Sequence, residues 1–264
     1  MSHTTVNRKP TVAIHKFSSC DGCQLAFLNL GEQLLQVADA VNIVHFVEAG
    51  AIQFDTPVDI AFVEGSLSTE EEVERIHAVR QQSQYLVTIG ACATAGGIQA
   101  LKNLHDAHAW TTSVYALPDY ISTLSTASPI SKAVHVDLEL HGCPVNSYQV
   151  LSTIRALLFG VTPPLEQDKL CSECKRLGQV CVMVTQQMPC MGPVTRTGCG
   201  VICPRQQRDC YSCYGPAETI NTHSLSQCLQ ETGLARDTIA RRFALFNNQS
   251  PEYVKAIAQL GEST

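Results

Sequence analysis

Eight of the thirteen cysteines in this 264-residue chain fall in one short stretch: Cys171, Cys174, Cys181, Cys190, Cys199, Cys203, Cys210 and Cys213. Beyond Lys169 apolar periodicity gives way to Cys, Gly and Pro. Such a segment cannot bury a large apolar core of its own, so its order must come from cross-links. Four more cysteines, Cys20, Cys23, Cys92 and Cys143, lie far apart in the N-terminal half, and Cys228 is left over. A 4Fe–4S cluster takes four thiolates. Twelve cysteines therefore suffice for three clusters, a wire for single electrons.

Disulfides are the competing explanation, and the rest of the chain argues against them. The N-terminus, MSHTTVNRKP, has neither an apolar leader core nor a twin-arginine signal. No segment approaches the roughly 20 apolar residues that span a bilayer. A cytoplasmic protein is expected, in a compartment that keeps thiols reduced, and metal ligation becomes the reason for the cysteines. The apolar fraction of 45% fits a soluble globular protein. A net charge of −6 without any run of Lys or Arg excludes a nucleic-acid partner. There is no Gly-x-Gly-x-x-Gly and no Walker loop, so this chain is not expected to bind a nucleotide.

Residues 11–160 alternate between strand and helix. Thr11–Phe17, Val41–Val47, Val58–Val63, Tyr85–Ile89 and Ala133–Val136 read as strands. Asp21–Val37, Thr69–Gln82, Ala95–Leu104 and Val145–Phe159 read as helices, with Thr69 as an N-cap ahead of Glu70, Glu71 and Glu72. This interval implies right-handed crossovers and a parallel, flavodoxin-like α/β sheet of order 2-1-3-4-5. Val161-Thr-Pro-Pro164 stops the last helix. The expected division is residues 1–162, a sheet domain, and 163–264, a cysteine-rich domain closed by helices at Ala235–Phe246 and Pro251–Leu260.

Cys20 and Cys23 follow the first strand, Glu64 ends the third, Cys92 follows the fourth and Cys143 the fifth. All lie at the carboxyl ends of parallel strands, the rim where open α/β sheets bind ligands. Gly22, Gly90 and Gly142 beside these cysteines allow backbone amides to approach cluster sulfurs. The eight remaining cysteines read Cys171-x2-Cys174-x6-Cys181-x8-Cys190-x8-Cys199-x3-Cys203-x6-Cys210-x2-Cys213, with no His between them. All-thiolate zinc satisfies the count. Gly192-Pro193, Gly215-Pro216 and Cys203-Pro204 favour an iron–sulfur loop.

Taken in order, SSCDGCQL, VEGS, GACAT, HGCPVN, CSECKRLGQVC, PCMGPVTRTGCG and CYSCYGP resemble the small subunit of a NiFe hydrogenase. The likeness is to the cytoplasmic, NAD(P)-linked heterotetrameric kind, the sulfhydrogenase delta type. It implies a proximal 4Fe–4S cluster on Cys20, Cys23, Cys92 and Cys143. It implies a distal cluster on Cys171, Cys174, Cys181 and Cys190, with Cys171 standing where better-known relatives have His. It implies a medial cluster on Cys199, Cys203, Cys210 and Cys213, where Cys203 adds a fourth thiolate to a site that is often three-iron. The implied partners are a NiFe-containing large subunit, a flavin- and NAD(P)-binding subunit and an iron–sulfur electron-transfer subunit. Leu25 stands where membrane-bound relatives often carry a proton-carrying Glu, and Gly22 excludes the extra cysteine of some oxygen-tolerant ones.

Of the remaining candidates, Glu64 is expected to accept local amide hydrogen bonds, and His141 to bond either a cluster or a backbone carbonyl. Lys175, Arg176 and Arg196 are expected to offset thiolate charge, and Cys228 to be an idle thiol. The same subunit in a methanogen-type hydrogenase, serving a heterodisulfide reductase or a deazaflavin acceptor, is the nearest alternative function. A zinc-stabilised interaction module is the alternative of a different class.

Overall fold

The computed structural model describes residues 8–53, 56–165 and 167–261; most of the N-terminal decapeptide lies outside them. Five parallel strands form one sheet of order β2-β1-β3-β4-β5, with β1 Thr11–Lys16, β2 Asn42–Phe46, β3 Val58–Glu64, β4 Ser83–Ile89 and β5 Leu138–Leu140. The order is the flavodoxin-like one expected from strand–helix alternation. Successive side chains of a strand point to opposite faces, and both faces here are covered. Val12, Ile14, Ile60, Phe62, Val87 and Ile89 pack on one side with Phe27, Phe46 and Ile154. Ala13, Ala61, Val63 and Leu86 pack on the other with Ile76 and Val79.

Two expected helices are broken where glycine adopts a conformation that other residues avoid. The pattern from Asp21 to Val37 forms α1 (Gly22–Leu28) and α2 (Glu32–Ala40), separated at Gly31, whose φ is +56°. The helix expected at Ala95–Leu104 is instead α4 (Gly90–Ala95) and a 3-10 segment, Ile98–Leu104, with Gly96 and Gly97 between them. Preceding it, α3 (Glu70–Gln82) has the anticipated cap: Thr69 Oγ1 accepts from the Glu72 amide, and Glu72 accepts from Thr69. α5 (Ala107–Val114), capped by Asp106, went without a sequence signal of its own.

The fifth strand lies later than expected. Ala133, Val134 and Val136 pack on the sheet as an irregular segment, while Leu138–Leu140 pairs with Val87–Ile89. Asp137 fixes that start, because its carboxylate accepts from the Leu86 amide at 2.8 Å and pairs with Arg80. α6 (Ser147–Leu158), capped by Asn146, returns across the sheet.

The cysteine-rich segment contains only short helices: α7 (Leu170–Arg176), α8 (Val182–Gln186) and α9 (Ile202–Arg205). Three longer ones follow, α10 (Thr222–Glu231), α11 (Arg236–Asn247) and α12 (Pro251–Gly261). The last two stand where the sequence pointed. The segment does share in an apolar core: Leu170, Val182, Met191, Val194 and Val201 pack against Leu225, Leu229, Ile239, Phe243 and Tyr253 of these helices. Among the described residues no helix is long and apolar enough to cross a membrane.

Candidate functional site

The carboxyl ends of β1, β4 and β5 bring Cys20, Cys23, Cys92 and Cys143 to one rim. Cys23, in the first turn of α1, is buried; Cys92 in α4 and Cys143 in the loop after β5 are half-buried, and Cys20 is exposed. The thiols lie within electrostatic reach of one another. Cys92 is pushed up to about 12 by burial first, then by Cys143 and Cys20. Cys23 is pushed up by burial, with Glu64, Cys92 and Cys143 adding to it. A methyl group at Gly90, whose φ is +85°, would come within 2.4 Å of Cys23 Sγ, so only glycine leaves room for that thiol. The Val145 amide donates to Cys23 Sγ at 3.5 Å.

Glu64, at the end of β3, is buried, and its carboxylate accepts from the amides of Cys23 (3.0 Å) and Gln24 (3.2 Å). Burial holds its carboxyl above the ordinary range, and those two hydrogen bonds act against that. It therefore anchors the loop that presents Cys20 and Cys23, the structural role expected of it.

The second set gathers around α7 and α8. Cys171 is pushed up to about 11 by burial, then by Cys190, Cys174 and Cys181, while Lys175 draws it down. A Cβ at Gly192 would lie 3.4 Å from both Cys171 Sγ and Cys190 Sγ. Cys181, in the turn before α8, is the exposed member. In the third set, Cys213 is pushed up to about 12 by burial, with Cys199 and Cys203 among the charges that add to it. Cys210 is raised by burial, and Cys190 and Cys213 both contribute.

Contacts join the sets in the order first, third, second. Cys143 lies within electrostatic reach of the Cys213 thiol. The Cys210 amide donates to Cys190 Sγ at 3.3 Å. Nearby, Asn146 Nδ2 donates to the Gly198 carbonyl at 2.7 Å, tying the sheet to the cysteine-rich loops.

The donor chemistry suits iron–sulfur clusters. Buried thiols that repel each other as thiolates need a cationic centre to ionise together. Backbone amides aimed at sulfur and glycines beside it are what a cluster requires. Among the described residues no three His, Cys, Asp or Glu side chains close on a point as a single metal ion demands. A cubane spreads its four thiolates over separate irons rather than closing them on one ion.

Some supporting residues behave differently from expectation. His141 is largely enclosed and is pushed down to about 3 by desolvation and the Arg196 charge; its Nε2 lies 3.7 Å from Glu139. Arg196 faces Glu139, Glu218 and Glu252 and donates to the Pro216 carbonyl, so its charge is met by carboxylates. Lys175 does face thiolate charge. Behind Cys210 runs a hydroxyl network that no motif indicated. Thr195 Oγ1 lies 3.5 Å from Cys210 Sγ and 2.9 Å from Ser212 Oγ, which meets Tyr253 OH from α12 at 2.5 Å. Asn247 of α11 holds the Ser212 carbonyl at 2.8 Å. Ser212 and Tyr253 are too far apart in sequence for a pattern to join them.

Residues 20–157 match the family described as NADH ubiquinone oxidoreductase, 20 Kd subunit. The subunit delta of sulfhydrogenase 2 from Pyrococcus furiosus is 30% identical over 236 residues, covering 89% of this chain and 98% of the relative. The chain belongs to the NiFe hydrogenase small-subunit family. It is thus an oxidoreductase subunit of a family whose small subunits carry iron–sulfur clusters and pair with a large subunit bearing the NiFe centre. A subunit of the F420-non-reducing hydrogenase vhu from Methanococcus voltae is 28% identical, over 90% of this chain and 94% of that protein. A small-subunit chain in the solved structure of an H2-reduced, NAD+-reducing [NiFe]-hydrogenase is 28% identical, with a TM-score of 0.54 over 60% of this chain and 96% of that one. The fold extends further in an actinobacterial-type NiFe-hydrogenase from Ralstonia eutropha H16, with a TM-score of 0.59 over 97% of this chain and 87% of that one, at 15% identity.

Proposed function

We propose that this chain is the electron-relay subunit of a cytoplasmic hydrogenase linked to NAD(P), holding three 4Fe–4S clusters. Cys20, Cys23, Cys92 and Cys143 hold the proximal one, Cys199, Cys203, Cys210 and Cys213 the medial, and Cys171, Cys174, Cys181 and Cys190 the distal. When bound, these clusters supply one-electron transfer between the NiFe site of the large subunit and a flavin- and NAD(P)-binding partner, beside a further iron–sulfur subunit. Residues 1–162 form the sheet domain and 163–264 the relay domain.

The observation that carries this proposal is the succession of contacts from the first set to the third, where Asn146 Nδ2 donates to the Gly198 carbonyl and Cys143 bears on Cys213, and from the third to the second, where the Cys210 amide donates to Cys190 Sγ; it supports a linear order of the three sets. The chain's own contribution is to fix that line and to dress it. Amides of Val145, Cys210 and Ser212 donate to sulfur, which raises a cluster's potential. A fourth thiolate at Cys203 adds negative charge to the medial site and lowers its potential toward the H2 and nicotinamide couples. The proximal rim, with Cys20 exposed, faces the large subunit, and the distal set, with Cys181 exposed, faces the electron-accepting partner.

Anaerobic iron and sulfide analysis with EPR of the reduced complex tests it. About twelve irons per chain are expected from the thiolate count; zinc bound at residues 171–213 would overturn it. The relative from Methanococcus voltae supports a second reading, in which the same relay serves an acceptor other than NAD(P). Copurification decides between them: a flavin- and nicotinamide-binding subunit supports the first, a heterodisulfide reductase the second.

A further inference from the structure

Building on the relay proposed above, we infer that the Tyr214 ring is the wall between the proximal and medial sites, a positioning residue that sets their separation and keeps the gap dry. Tyr214 directly follows Cys213 and is 5% exposed. Its ring rests on the backbone of two glycines, each next to a candidate ligand. A Cβ added to Gly142, beside Cys143, would lie 2.7 Å from Tyr214 Cζ and 2.9 Å from Cε2. A Cβ added to Gly198, beside Cys199, would lie 3.4 Å from Cε1. Both glycines have positive φ, +132° and +122°. The ring thus touches the proximal loop on one edge and the medial loop on the other, and any side chain at 142 would displace it.

The electrostatic surroundings place it in the same gap. The phenol feels Cys199 and Cys213 of the medial set together with Cys23 of the proximal set. The ring adds bulk to the gap. Alongside it runs the Asn146 amide group to the Gly198 carbonyl. A rigid aromatic between two anionic clusters excludes water that would otherwise stabilise the more negative, reduced state; removing it admits solvent and raises the medial potential.

The test uses the intact complex with its large subunit, purified without oxygen, and reads iron content, the magnetic interaction between proximal and medial clusters, and the medial midpoint potential. Tyr214→Phe keeps the ring and should match the wild type in all three. Tyr214→Leu and Tyr214→Ala should weaken the magnetic interaction and shift the medial potential upward at unchanged iron content. Should either small variant lose medial iron while Tyr214→Phe retains it, the ring is again what holds the two loops together. Wild-type spectra and potentials in Tyr214→Leu and Tyr214→Ala would overturn the inference, as would a Tyr214→Phe that behaves like Tyr214→Ala, since the hydroxyl would then be the active part. A wild-type complex lacking the clusters removes the relay itself and the wall with it, a result read before any variant is made.

Discussion

The two halves of this chain hold their cysteines by opposite means. In the sheet half the frame comes first. Alternating apolar residues on β1, β3 and β4 build covered faces, and Cys20, Cys23, Cys92 and Cys143 hang on its rim. In the cysteine-rich half the loops come first: Cys199 to Cys213 includes just one turn of helix, α9, and the apolar support is borrowed from α10, α11 and α12. A sheet can exist without its ligand sites, whereas these loops depend on whatever the thiols hold.

That contrast breaks most visibly on iron removal. Anaerobic chelation should leave 11–158 resistant to protease and open 167–220 to it, as read by limited proteolysis with mass spectrometry. Equal protection of both segments would erase the difference. Next in size is a deletion in the frame itself. Phe62, fully buried between Phe27 and the strands, should cost about 3–5 kcal/mol as Phe62→Ala, measured by urea unfolding of the sheet half, with little change in the proteolysis pattern of the C-terminal loops.

Acid should weaken the sheet half in particular. His15 stacks on His45 at 4.5 Å, buried on the sheet near Arg75. Burial, then the charges of His45 and Arg75, push His15 down to about 3, while its ordinary value is 6.5. Below pH 6.5 the unfolded chain takes up a proton that the folded chain refuses. Stability is therefore full above that pH and falls as pH drops toward 3, by about 2 kcal/mol at pH 5 from this one group. Urea midpoints at pH 7 and pH 5 should show the slope, and His15→Leu should flatten it. At the other half, Tyr253→Phe removes a buried hydroxyl from Ser212 and the Val194 carbonyl, at about 1–3 kcal/mol, and should first appear as faster exchange of the Ser212 amide. The smallest effect belongs to the exposed Asp237–Arg241 pair on α11: Arg241→Ala should shift stability by less than about 0.5 kcal/mol.

Legibility in the sequence follows the same divide. Strand–helix alternation points to the parallel sheet and its order because both the apolar pattern and the crossover interval are local signals. The fifth strand was misplaced because Ala133–Val136 is as apolar as a strand, whereas pairing was fixed by the remote Asp137–Arg80 and Asp137–Leu86 contacts. Helices at Asp21–Val37 and Ala95–Leu104 were over-extended because a glycine inside a periodic pattern does not announce a positive φ. The cysteine spacings point to the three sets proposed as ligands. The hydroxyls behind Cys210 were not, since Thr195, Ser212 and Tyr253 meet only after α12 has packed.

The side-chain amide of Asn146 reaching the Gly198 carbonyl makes the first and third thiol sets poor candidates for independent exchange. A C-terminal half transplanted from a cousin with different ligands would arrive without its donor unless Gly142–Asn146 travelled with it. Grafting experiments on this scaffold should therefore cut upstream of His141 rather than at the proline pair, 163–164, where the chain most invites division.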